Sequence, residues 1–186
     1  MLSKKAISLG ATDAKVIGVG TIPLEAAIAD LCKSPKCEGY GQCANCPPHT
    51  MDVQTSLKWI NTFQRGLVIK LELLPSQIMG SHYLSHFKKL FVIVTALERA
   101  AKRRGFIRAT ALGAGSCKPV FCPHKPCSVL EGNTCRYPHL ARPSLEAIGI
   151  NVFELCKAIG WPMHRILRDT DPNTIPFASL VGLVLF

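Results

Sequence analysis

At 186 residues, 48% hydrophobic and 18% charged, the chain is long enough to bury a core of its own and too apolar to remain disordered. Its apolar stretches, 90–97 and 177–186, fall short of the roughly 20 residues a membrane-spanning helix needs, so no membrane association is expected. A formal charge of +10 ordinarily points to nucleic acid, but it counts all nine cysteines as neutral.

Residues 1–10 (MLSKKAISLG) are basic but lack the continuous apolar core of a secretory leader, so a cytoplasmic protein is expected. Disulfides are rare there, and an odd number of cysteines fits a disulfide framework poorly. No low-complexity tract or linker interrupts the sequence, and a single domain spanning 1–186 is expected.

Residues 13–23 carry Val16, Ile17, Val19 and Ile22 and end at a proline, which suits a first strand. Residues 24–31 (LEAAIADL) predict a short helix that delivers Cys32 at its end. There follows the pattern Cys32-x4-Cys37-x5-Cys43-x2-Cys46 within a loop at 32–48, rich in turn residues: Pro35, Gly39, Tyr40, Gly41, Pro47 and Pro48. Thr50 is the candidate cap of a helix over 51–63, with Asp52 in its first turn. Residues 67–74 (LVIKLELL) predict a half-exposed strand, with Val68, Lys70 and Glu72 on one face and Leu67, Ile69, Leu71 and Leu73 on the other.

The longest helix is expected over 82–104, where Phe87, Leu90, Phe91, Val94, Leu97 and Ala101 recur at helical spacing. Lys88, Arg99, Lys102 and Arg103 gather on another side; without interleaved aromatics this face reads as solvated surface rather than a nucleic-acid platform. Residues 106–112 predict a third strand, and Gly113-Ala114-Gly115-Ser116 a tight turn with no helix directly after it. The second cysteine segment, at 117–139, has the pattern Cys117-x4-Cys122-x4-Cys127-x7-Cys135. Ser144 can cap a helix over 145–159, loosened near Gly149 and carrying Cys156 as a core residue. The apolar segment 177–186 predicts a fourth strand in the middle of a sheet. The fold class is α+β with an α/β-like alternation: a four-stranded sheet covered by helices, with two cysteine-rich metal loops.

Two groups of four thiols, in a reducing compartment, persist when a soft cation neutralises them, which means zinc or iron–sulfur. The candidate ligands are Cys32, Cys37, Cys43 and Cys46, and Cys117, Cys122, Cys127 and Cys135. Structural zinc favours two tight Cys-x2-4-Cys knuckles, and only Cys43-Ala44-Asn45-Cys46 has that shortest spacing; the longer, irregular gaps and the Cys46-Pro47 and Cys122-Pro123 steps favour two 4Fe-4S clusters. Two such centres, each about −2 with its four thiolates, would bring the net charge to about +6. His49, His124 and His139, close in sequence to Cys46, Cys122 and Cys135, are alternative ligands or donors to sulfur.

The segments Cys32-Lys33-Ser34-Pro35-Lys36-Cys37-Glu38-Gly39-Tyr40-Gly41 and Cys46-Pro47-Pro48-His49 resemble a family of uncharacterised, cysteine-rich, predicted metal-binding proteins of anaerobic archaea and bacteria. So do Cys135-Arg136-Tyr137-Pro138-His139 and the run from Ala141-Arg142-Pro143-Ser144 to Ile150. The resemblance implies metal binding without an established reaction. The family pattern takes Cys32, Cys37 and Cys46 but not Cys43, which implies that Cys43 is an accessory thiol and that the first centre has three ligands and an iron open to substrate. The second segment is more widely spaced here, with Pro119, Pro123 and Pro126 in it.

The function expected is therefore electron transfer, or a redox accessory role, with a redox partner protein. The alternative is a zinc-stabilised binding module using its basic face on nucleic acid. Outside the cysteine groups no Ser/His/Asp or Cys/His signature marks a catalytic site, so whether the chain is an enzyme stays open.

Overall fold

A computed structural model describes residues 1–34, 37–167 and 169–186. Four strands, β1 (Asp13–Gly18), β2 (Arg65–Leu73), β3 (Thr110–Leu112) and β4 (Ala178–Leu185), form one antiparallel sheet in the order β1-β2-β4-β3. The helices are α1 (Leu2–Ser8), α2 (Ala26–Asp30), α3 (Val53–Ile60), α4 (Pro75–Met79), α5 (Tyr83–Lys102), α6 (Cys117–Phe121) and α7 (Val152–Ala158). With every strand pairing antiparallel, the architecture is α+β despite the alternation in sequence.

Side-chain alternation along β2 and β4 divides the core in two. Leu67, Ile69, Leu71, Leu180 and Val184 meet Leu90, Ile93, Val94 and Leu97 of α5 on one face. On the other, Val68, Val181, Leu183 and Leu185 pack with Ile60, Ile148, Leu155, Cys156 and Trp161. β4 is thus apolar on both sides because it is central and covered twice, as its sequence predicts. α5 comes close to it at Gly182, where a Cβ would lie 2.5 Å from Val94 Cγ1.

β2 departs from the half-exposed strand expected. Its two faces divide as read, but both are covered, and Lys70 is 5% exposed. The ammonium is accommodated by Glu72 at 2.7 Å and by the rings of Trp161 and Phe177, 5.2 and 5.6 Å from Nζ. Cys156 is fully buried in the core, as its sequence predicts, and burial pushes its thiol up to about 11.

Other boundaries move for local reasons. Asp52, not Thr50, caps α3, its carboxylate accepting from Thr55 N at 2.8 Å. The helix expected over 145–159 is split: a 3-10 turn at Glu146–Ile148 ends at Gly149 with φ of 90°, and Asn151 caps a new start. Only three residues of 106–112 pair as a strand, leaving Phe106 and Ile107 exposed. The turn at 113–116 does lead straight into a helix, because the Ser116 hydroxyl accepts from Lys118 N and opens α6. α1 packs on β1, β2 and α5, and α4 on α5. Among the described residues no helix is long and apolar enough to cross a membrane.

Candidate metal centre

Both cysteine segments pack around Phe91, near the middle of α5. Cys43, Cys46, Cys117, Phe91 and Phe121 form a buried cluster, with Cys122 and Cys127 partly buried against it. The first segment winds through short turns: Cys37 N donates to Cys32 O, Tyr40 N to Cys37 O, Cys46 N to Cys43 O and Gly41 N to Pro47 O. Pro35, one of the turn residues read from sequence, lies outside the described residues. Gly39 allows the segments to touch, since a Cβ there would sit 2.9 Å from Ser116 Cβ and 3.1 Å from Cys46 Sγ.

The second segment is tied down more firmly. Lys118 Nζ donates to Cys122 O at 2.7 Å, Ser128 Oγ to Thr134 O at 2.7 Å and Arg136 Nη1 to Pro126 O. Its downstream flank is anchored by Arg142, whose guanidinium meets the buried Glu98 carboxylate of α5 at 2.8 and 3.1 Å; Lys102 joins from the same helix at 2.6 Å. Burial alone would raise the Glu98 pKa, but hydrogen bonds and charge from Arg142 and Lys102 hold it below the usual value. Arg99 adds a bond to His139 O at 3.4 Å.

The thiols face two separate cavities. Cys117, Cys122, Cys127 and Cys135, joined by Cys43, line one of about 310 Å³, closed in part by Phe121 and Tyr137, whose rings stack at 5.3 Å. Cys32, Cys37 and Cys46 line another of about 730 Å³, with Ser116 at the seam between the two. The second group of four shares one cavity, whereas the first divides three and one. Cys43 approaches Cys117 with their sulfurs 3.9 Å apart, while Cys46 donates to Ser116 Oγ at 3.3 Å.

All nine cysteines are free thiols. Hydrogen bonds from Cys117 and Cys46 hold the Cys43 thiol well below its ordinary range. Its bond to Cys43, then burial, holds Cys46 protonated, and Cys117 is held the same way. Burial, then the charges of Cys37 and Glu146, pushes Cys32 up. Sulfurs this close ionise together only when a cation is present to compensate. Donors are already aimed at them: Asn45 Nδ2 at Cys117, Gly39 N at Cys37 and Tyr137 N at Cys135, each 3.4 Å from sulfur.

Among the described residues no three His, Cys, Asp or Glu side chains gather as a single-ion site. Tetrahedral zinc, at about 2.3 Å from each sulfur, needs sulfurs about 3.8 Å apart, a spacing approached by the Cys43–Cys117 pair. His49, His124 and His139 are exposed, and their side chains line neither thiol cavity. His164, which has no sequence neighbour to single it out, lines the larger one instead.

Residues 15–186 match the model of a family described as predicted metal-binding protein (DUF2284). The chain belongs to that family. The match covers both cysteine segments, the sheet apart from the first two residues of β1, and every helix except α1. Neither the curated proteins nor the solved structures contain a match to this chain.

Proposed function

We propose that this member of the predicted metal-binding family holds two iron–sulfur centres and passes electrons between them and a protein partner. One centre is assigned to Cys117, Cys122, Cys127 and Cys135, the other to Cys32, Cys37 and Cys46, with a fourth position facing the larger cavity. The observation that carries the reading is the distribution of free thiols around two adjoining cavities, rather than their collection in knuckles tight enough for one ion. Soft donors lining a cavity suit a multi-atom inorganic core, which when bound supplies one-electron exchange.

The protein's own residues supply the setting. Phe121 and Tyr137 form the aromatic wall of the smaller cavity, with Phe91 packed edge-on behind Phe121, and Asn45, Gly39 and Tyr137 offer N–H groups that stabilise thiolate charge. Lys118 and Arg136 place positive charge on the same wall. Cys43 and Ser116 occupy the seam, so the two centres would be separated by little more than two side chains.

Protein purified without oxygen is expected to be brown, to absorb broadly near about 400 nm and to contain about eight irons with matching sulfide. A colourless protein carrying two zinc ions would overturn the reading. Cys156→Ala, removing the buried core thiol, should leave the metal content unchanged.

A further inference from the structure

The first centre has three thiols and lacks a fourth. Cys32, Cys37 and Cys46 share the larger cavity with three other side chains able to bind a metal: Glu146, Glu154 and His164. Two of these are engaged elsewhere. Glu154 is exposed and pairs with Lys157 at 3.5 Å, and the His164 ring packs edge-on against Phe177, their centroids 4.8 Å apart. Glu146 is partly buried and, among the described residues, has no cationic partner; its carboxylate accepts from Ser144 and from its own backbone N–H. Those two bonds leave lone pairs free on a group with about four acceptor positions. A carboxylate removed from water is ordinarily paired with a cation or coordinated to a metal.

Backbone pairing brings Glu146 up to the thiols from two directions. Leu24 and Ile150 form an antiparallel bridge and Glu25 N donates to Gly149 O at 2.8 Å, so the chain running forward through α2 to Cys32 passes the chain running back to Glu146. α2 accordingly packs on the 3-10 turn Glu146–Ile148. Gly113 and Ser144 form a parallel bridge, with Leu145 N donating to Gly113 O at 3.2 Å, which sets the same turn beside the residues leading to Ser116. The Ser116 hydroxyl in turn accepts from Cys46 at 3.3 Å. The Glu146 charge is felt at Cys32.

We propose that Glu146 is the fourth ligand of the first centre, a carboxylate completing the set of Cys32, Cys37 and Cys46. The inference rests on the two-centre reading for the identity of the metal, but not for the role of the carboxylate. Oxygen is a harder donor than sulfur, so one iron of this centre would differ from all the others and be held less tightly. The test is Mössbauer spectroscopy with iron and sulfide analysis, on protein grown with the Mössbauer isotope. About one iron in eight should show a distinct, higher isomer shift, and Glu146→Gln should lose about that one iron. Glu146→Asp should keep part of it, whereas Glu146→Cys should keep every iron and abolish the distinct signal. Glu154→Gln and His164→Gln should change neither. The second centre, retained in each variant, reports that the chain has folded. Eight equivalent irons, a Glu146→Gln protein that keeps its full complement, or loss of iron in His164→Gln instead would overturn the proposal. An iron-loaded protein indifferent to Glu146→Gln sinks the ligand and spares the iron reading. Colourless wild-type protein sinks the iron reading, and the ligand is then decided by zinc: Glu146→Gln should lose one of the two ions, and retention of both would overturn it.

Discussion

The two cysteine segments start from the same number of thiols and are held in different ways. The second is braced from outside, by Arg142 on the buried Glu98 and by Arg99 on His139 O, and from within by Lys118 on two of its carbonyls, and its four sulfurs share one small cavity. The first relies on its own turns and on close contact at Gly39 and Ser116, and it gives one sulfur to its neighbour's cavity. The lesson is that grouping of thiols along a chain and grouping in space are separate facts. A loop braced by distant side chains can keep a full set together, whereas a loop supported mainly by its own backbone divides where a neighbour's thiol comes within reach.

The largest effect should come from removing a ligand of the intact quartet. Cys122→Ala is expected to lose the whole second centre and lower the iron content to about half, from about eight to about four; full retention would break the assignment. Next is the brace itself. Glu98→Ala leaves Arg142 without its buried partner and should lower stability by about 3–5 kcal/mol in denaturant unfolding. Because Arg142 and Lys102 depress the folded-state value of Glu98 below its ordinary 4.5, their contribution is complete above about that pH. It fades as the pH falls through the lower, folded value, so unfolding midpoints measured from pH 6 down to 3 should decline less steeply in Glu98→Gln. Gly39→Ala tests the first segment's contact: forcing a methyl against Ser116 and Cys46 should cost about 1–3 kcal/mol and alter the spectrum of the first centre more than that of the second. The smallest effect is expected from Cys43→Ser, with iron content unchanged within error, and loss of either centre would show that the divided thiol is a required ligand.

Much of the scaffold was legible because its signals are local. The apolar run that becomes β4 announces a strand covered on both sides, and the spacing of Leu90, Phe91, Val94 and Leu97 announces α5. Lys70 misled because a lysine on an alternating strand reads as solvent-facing, and its partners Trp161 and Phe177 lie far along the chain. α1 went unread because only Leu2 and Ala6 of its seven residues are buried. At the site, the cysteines that line the cavities are visible in sequence, but the assignment of Cys43 to one cavity or the other depends on Ser116 and Cys117, which local spacing does not bring near it. The same holds for His164, which lines the cavity of the first three thiols through the packing of the segment before β4.

That strand carries a temporal implication as well. β4 comes after both cysteine segments in sequence yet lies between β2 and β3 in space, so during synthesis the sulfur-bearing loops leave the ribosome before the sheet beneath them can be completed. Filling either pocket at that stage would place a metal on a half-built platform; filling once β4 has docked, into thiols already assembled, is the simpler order of events.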